Sequence, residues 1–475
     1  MFFQRIYDSS LAQASYLIGC QKIGEALVID PKRDVDTYLE IARQNGLRIT
    51  HVTETHIHAD FLCGSRELVA LTDATLYLSD EGGPDWQYEF AHQGIRGGDL
   101  IRVGNLTLAV LHTPGHTPES ISFLLTDTPA SSQPVMLFTG DFVFVGDVGR
   151  PDLLEKAAGQ AGSQREGARQ LFESLQKFKA LPSFVQVWPG HGAGSACGKA
   201  LGAVPSTTVG YELIRNWAFS YPNNPAGFTE SLLDGQPEPP TYFARMKQLN
   251  RQPRPLLTHV LTPKKLSPGE VAEAMNQGVK LIDTRDKVLF ARGFVPGSLN
   301  IQGNNAFATW MGWLMSYDKP FMLVADEAQL DDLTRKLMRI GLDNVYGYIQ
   351  DVATLNIPLQ EADIICLDTF KTHLDRDDVQ VVDLRGKTEY EAGHVAGAEH
   401  VFVGTLPSHL DKISRRKPVV VYCQGGDRAA IGYSLLVSKG FANIKNYSGG
   451  LNEWQRTGQP VVREMLTNQL INESL

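Results

Sequence analysis

The apolar positions of the first 200 residues fall in short runs, each closed by a polar loop. FFQRIYD, ASYLIGC and EALVID alternate as strands do, whereas DTYLEIARQNG has helical spacing and stops at Gly46. LRITHVTETHIHAD, LTLAVLHTPGH, ISFLLTD, VMLFTGDFVF and PSFVQVWPGHGAGSACGK then repeat one arrangement: an apolar run followed by a loop of His, Asp, Gly or Pro. Such alternation predicts an α/β fold whose strand ends carry the site. From about Pro205 to Arg254 the pattern changes to helical segments and proline-rich turns, including NNPAG and GQPEPPTYF. We read this as a helical extension leading into a linker near Arg251–Pro255.

The remaining chain contains a weak internal repeat. LSPGEVAEAMNQGVKLIDTRDKVLFARGFVPGSLNI, KPFMLVADEAQ and IGLDNVYGYIQD form one copy. VQVVDLRGKTEYEAGHVAGAEHV, KPVVVYCQGGDRA and KGFANIKNYSGGLNEW form the other. Each has a strand ending in Asp-x-Arg, a Val-x-Gly turn, a Lys-Pro-strand and a segment in which Gly, an apolar residue, any residue and Asn precede a further strand. The expected organisation is three domains, 1–255, 256–360 and 361–475, which fits a prior of roughly 150 residues per domain.

Composition narrows the function classes. The net charge of −9 argues against nucleic acid as the main partner, and no run approaches the ~20 apolar residues that span a bilayer. The N-terminus has no continuous apolar core of the secretory kind. Five cysteines (Cys20, Cys63, Cys197, Cys366, Cys423) stand far apart, so a disulfide framework is not expected and a cytoplasmic setting is.

Three loops carry ligand-type residues, THIHADF, TPGHT and TGD, and a fourth, PGH, follows. Histidines and aspartates gathered at strand ends, beside Gly and Pro that fix loop shape, point to a metal centre. The set resembles the metallo-β-lactamase fold, an αββα sandwich, over about residues 1–200. In that family a His-x-His-x-Asp-His motif, a later His, a bridging Asp and a final His hold two metals. Here the motif reads His56-Ile57-His58-Ala59-Asp60-Phe61, and Phe61 cannot coordinate. Losing that imidazole should weaken a dinuclear zinc site. His56, His116 and Asp141 remain as a two-histidine, one-carboxylate face that suits non-haem Fe(II). The whole pattern resembles the persulfide dioxygenase branch. That resemblance gives one Fe(II) per chain on His56, His116 and Asp141, and leaves His58, Asp60 and His191 to orient ligands or substrate. Arg150 could grip a substrate carboxylate or phosphate, or close an ion pair with Asp147 or Asp152. Cys197, in the glycine-rich GAGSACGK, could hold sulfur beside the metal or pack under the loop.

VVVYCQGGDRAAIGYSLL delivers Cys423 from a buried strand into a loop of Gln424, Gly425, Gly426, Asp427 and Arg428 before a helix. Inward backbone N–H groups, the helix start and Arg428 should favour a thiolate there. The loop, with Asp383-Leu384-Arg385, GHVAGA and GGLNEW, resembles the rhodanese sulfurtransferases over about 366–465. The middle copy has Ala325 where the nucleophile would stand, followed by Asp326 and Glu327, and is expected to be inactive.

The resemblances together imply a persulfide dioxygenase fused to two rhodanese-like modules, one of them active. Its partners would be a low-molecular-weight thiol persulfide, O2 and sulfite. Separately, a homo-oligomer (dimer or tetramer) is expected, with the helical extension after Pro205 as a candidate interface. A zinc thioester hydrolase of the glyoxalase II type and a non-enzymatic sulfur sensor stand as alternatives.

Overall fold

A computed structural model describes residues 1–156, 162–376 and 378–463; the end of the third expected domain, 464–475, lies outside the described residues. The chain divides into two compact units, one of residues 1–261 with 335–341 and the other of 262–334 with 342–475. Among the described residues no helix is long and apolar enough to cross a membrane.

The first unit contains two mixed six-stranded sheets. One runs in chain order through Phe2–Asp8, Gln13–Cys20, Glu25–Ile29, Arg48–Thr53, Thr75–Ser79 and Gln93–Ile95. The other is ordered Thr207–Thr208, Gln186–Pro189, Met136–Gly140, Ile121–Asp127, Leu106–His112, Leu100–Val103. Alternating side chains from the two sheets meet in one buried cluster. Tyr16, Ile18 and Leu27 come from the first sheet, and Leu108, Phe123 and Phe138 from the second. The outer faces are covered by helices. Tyr38, Ala42 and Leu68 close over the first sheet; Leu171, Leu175 and Phe178 of helix Ser163–Lys179 close over the second. This is the expected helix–sheet–sheet–helix sandwich. The predicted extension is present as helices Val209–Arg215, Pro225–Leu233 and Phe243–Arg251.

The second unit holds two parallel sheets, ordered Leu299–Asn300, Lys280–Asp283, Phe321–Val324, Val345–Ile349 and Ile364–Ile365, Ile444–Tyr447, Val419–Tyr422, Gln380–Asp383, Glu399–His400. Their central strands are fully buried and almost wholly apolar, as strands covered on both faces must be. The α/β class therefore holds throughout: an αββα sandwich followed by two parallel α/β sheets.

Candidate functional site

The metal-type residues sit where strands of both sheets end side by side. His56 follows Arg48–Thr53, His116 follows Leu106–His112, Asp141 follows Met136–Gly140 and His191 follows Gln186–Pro189. The last loop is pinned across the sandwich: Ala14 N–H donates to Gly190 O (2.7 Å) and the Tyr16 hydroxyl to Pro189 O (2.6 Å). Gly115, before His116, has φ +148°, and a Cβ there would lie 2.5 Å from Leu171 Cβ. Only glycine lets helix Ser163–Lys179 press this loop into place.

Three imidazoles are fixed through Nδ1 so that Nε2 is left for a ligand bond. His116 Nδ1 donates to Arg150 O (2.9 Å), and His191 Nδ1 to Ala12 O (3.2 Å). Thr55 donates its hydroxyl to Asp30 (2.9 Å), so it accepts from His56 Nδ1 (3.0 Å). A carbonyl can only accept, which settles the tautomers of His116 and His191. Burial and the neighbouring imidazoles hold the His56 pKa well below its ordinary value, and burial lowers that of His116; both are neutral, the ligand form.

Among the described residues three groups of prospective ligand atoms result, one of them Glu54, His58 and Cys63. His56, His116 and Asp141 offer atoms within 4.8 Å of one another, and so do Asp60, His191 and Cys197. Asp141 joins the latter two: Oδ2 lies 3.5 Å from His116 Nε2 and 4.0 Å from His56 Nε2, and Oδ1 3.4 Å from His191 Nε2. His191 Nε2 is also 3.3 Å from Asp60 Oδ2. His56 Nε2, His191 Nε2 and both carboxylate oxygens of Asp60 and Asp141 are buried without a hydrogen-bond partner. Buried polar atoms seldom stand so, and this donor set fits a divalent metal ion.

Other expected residues are placed differently. His58 stands apart, its Nε2 3.0 Å from Asp30 Oδ1. Burial works to lower its pKa, but the Asp30 carboxylate outweighs burial and raises it to about 9. Arg150 is fully buried, and its guanidinium is shared between both oxygens of Asp152 (2.7 and 2.6 Å), Ala196 O and Pro237 O. Of the two readings left open for it, the structure shows the ion pair, and its backbone carbonyl orients His116. Burial and the nearby Asp141 and Asp60 carboxylates push the Cys197 thiol well above its ordinary pKa. It lies beside the cluster, as expected, but as a thiol.

A residue without a sequence signal completes the centre. Asn250, in helix Phe243–Arg251, donates through Nδ2 to His58 O (2.8 Å) and Phe61 O (2.7 Å) and accepts from Cys63 N–H (2.8 Å). The extension thus clamps the His-x-His-x-Asp loop.

In the last module Cys423 follows strand Val419–Tyr422, and helix Asp427–Ser438 begins four residues later. Gly426, at φ +97°, turns its N–H onto Cys423 Sγ (3.1 Å). Arg428, expected to serve the anion cradle, pairs instead with both oxygens of Glu389 (2.5 and 2.8 Å). Gln424 is held by Arg385 NH1 (3.2 Å) and donates to Asn452 Oδ1 (2.5 Å). In the middle module buried Ala325 closes strand Phe321–Val324, so no thiol occupies that place.

The metallo-beta-lactamase superfamily model matches residues 10–191, and the rhodanese-like domain model matches 267–353 and 367–457. A solved metallo-beta-lactamase from Staphylococcus aureus subsp. aureus COL is 44% identical, with a TM-score of 0.66, and the match covers 74% of this chain and 98% of that one. The chain belongs to the metallo-β-lactamase superfamily. It is a metalloenzyme of that superfamily fused to two rhodanese-like domains. Within the superfamily two activities are similarly distant. A hydroxyacylglutathione hydrolase of Nitrosococcus oceani is 33% identical over 178 residues (37% of this chain, 61% of that protein). A mitochondrial persulfide dioxygenase of Bos taurus is 28% identical over 200 residues (40% and 68%). The chain thus spans about three-fifths to two-thirds of these curated relatives.

Proposed function

We propose that this metallo-β-lactamase-superfamily enzyme oxidises a low-molecular-weight thiol persulfide at a single Fe(II) on His56, His116 and Asp141, and moves sulfane sulfur through Cys423. One juxtaposition carries the reading: a two-imidazole, one-carboxylate face with orphaned donor atoms occurs in the same chain as an intact sulfur-transfer loop. Bound there, Fe(II) would leave adjacent positions for dioxygen and a sulfur ligand. The protein's part is orientation: Arg150 O, Thr55 and Ala12 O fix the imidazoles, and the Asn250 clamp fixes the loop. The reaction balances as R–S–SH + O2 + H2O giving R–SH, hydrogen sulfite and a proton. A persulfide on Cys423 then passes its outer sulfur to sulfite, giving thiosulfate and the free thiol. We take the protein to work in a reducing cytoplasm and to assemble through the extension after Pro205; light scattering on the eluted protein measures the latter.

Dioxygen uptake by iron-loaded protein is the test. Glutathione, coenzyme A and bacillithiol persulfides are offered in turn, and uptake with none of them refutes the dioxygenase. A second reading, a dinuclear zinc thioester hydrolase, is favoured by the Asp60–His191–Cys197 group that shares Asp141. Metal analysis separates the two: one iron per chain supports the first, two zincs the second.

A further inference from the structure

The middle module has no nucleophile, yet it forms one wall of a cavity against the active loop. This cavity, of about 230 Å³, is lined by Gln302, Asn304, Ala306 and Trp310 of the middle module. Its opposite wall is Asp427, Arg428 and Ile431, which directly follow the Cys423–Gly426 turn. The two walls are tied together. Lys287 Nζ donates to Asp427 Oδ1 (2.6 Å) and to Gly425 O, and Asn304 Nδ2 lies 3.5 Å from Asp427 Oδ2.

The lining has the chemistry of a ligand site. Gln302 is more than nine-tenths buried; its amide oxygen accepts from Lys287 N–H (3.3 Å), while its Nε2 has no partner. A buried amide N–H so held calls for an acceptor. Trp310 and Ile431 add apolar contact. The charged groups, in contrast, are already neutralised: Arg428 by Glu389 and Asp427 by Lys287. A polyphosphate-bearing carrier would find no unspent cation here. The volume also lies below the ~300–1,000 Å³ usual for drug-sized ligands, yet exceeds what a bare oxyanion needs.

We propose that this cavity holds the organic body of a small peptide-type thiol persulfide, with the middle module selecting the sulfur donor for Cys423. The proposal rests on the sulfur-transfer half of the function proposed above and adds the donor's class. The Cys423 thiolate attacks the outer sulfur of the bound persulfide. A bond forms between Sγ and that sulfur, and the donor's S–S bond breaks. The electron pair leaves on the peptide thiolate, which takes a proton from water, so no outside oxidant or reductant enters. Gln302 and Trp310 are positioning residues in this scheme.

The test uses the full-length chain without dioxygen, so that the metal centre does not compete for persulfide. Thiosulfate formation from glutathione persulfide and sulfite is compared with thiocyanate formation from thiosulfate and cyanide. Gln302→Leu removes the amide, and Ala306→Trp fills the cavity from a position that makes no contact with the loop in the tie described. Both should raise the KM for glutathione persulfide about tenfold relative to the KM for thiosulfate, with kcat for the peptide donor within about twofold. An unchanged KM ratio in both variants overturns the proposal, and so does equal use of coenzyme A persulfide by the wild type. If the wild type takes sulfur from neither donor, the sulfur-transfer reading itself fails. If it takes sulfur from thiosulfate alone, that reading survives and only the peptide-donor cavity falls.

Discussion

Replacing Asn250 by alanine tests whether the helical extension builds the metal centre. The side chain makes three buried hydrogen bonds of 2.7–2.8 Å to the segment between His58 and Cys63. Removing it leaves two carbonyls and one N–H unpaired in a place closed to water. Each unpaired group costs ~1–3 kcal/mol, and partial relaxation brings the sum to about 3–5 kcal/mol. Two readouts apply. Urea unfolding of the first transition should shift by that amount, and bound metal should fall, because Asp60 and the His56 loop lose their tether. Gln248→Ala, at the exposed contact with Arg245 in the same helix, serves as control and should change stability by less than ~0.5 kcal/mol. Asn250→Asp keeps the acceptor for Cys63 N–H but sets a buried carboxylate oxygen against the His58 and Phe61 carbonyls, so it should destabilise at least as much as Asn250→Ala. Asn250→Ala within about 1 kcal/mol of wild type, with full metal content, would refute the clamp.

Three further outcomes follow from the same geometry. Asp141→Asn should abolish metal binding at the His56–His116 face and dioxygen uptake with it, since one oxygen faces each half of the cluster; metal analysis after dialysis reads this out. Cys423→Ser should abolish thiosulfate formation while leaving dioxygen uptake within about twofold, and loss of both would show that the two sites are not independent. His58, with its pKa raised from 6.5 to about 9, contributes stability that is complete below pH 6.5 and lost as pH rises through about 9. At ~1.4 kcal/mol per pH unit the full effect is about 3 kcal/mol. Urea unfolding of metal-free protein across that window should show this loss, and Asp30→Asn should remove it; an identical pH slope in the variant would exclude the Asp30 pair as its source.

The ligand-bearing loops were legible because each is short and local. An apolar run that ends in HIHAD, TPGH, TGD or PGH announces a strand and its loop within about ten residues. What held those loops was not legible. Asn250 bonds residues 187–192 positions away, and Glu389 meets Arg428 across 39. No periodicity marks such partners. Spacing also misleads within one motif. His56, His58 and Asp60 stand two residues apart, but His58 Nε2 meets buried Asp30, and its ligand-type neighbours are Glu54 and Cys63, not the two groups that Asp141 joins. The Arg150 ambiguity was settled by competition. Asp147 is already engaged by the backbone N–H groups of Lys199 and Ala200 and by the Trp217 indole, which leaves Asp152, two residues on, to match the guanidinium. Helix Ser163–Lys179 and strands Thr75–Ser79 and Gln93–Ile95 have no counterpart in the sequence reading; the two strands are only five and three residues long.

The charge balance at the metal centre explains why these particular residues must act together. Asp60 and Asp141 bring two buried carboxylates to one point, while His56 and His116 are kept neutral. The Arg150 guanidinium is neutralised by Asp152. Burial therefore drives the Asp60 pKa upward. A divalent cation relieves this where a proton can do so only in part, since it meets the orphaned oxygens and the orphaned Nε2 atoms at once. Cys197 sharpens the point. Beside the same carboxylates its thiol resists ionisation, so a thiolate at this position requires a cation within bonding reach. The reactivity of Cys197 and the occupancy of the metal centre are thus one question. Cys423 meets different surroundings: its Sγ accepts the Gly426 backbone N–H (3.1 Å).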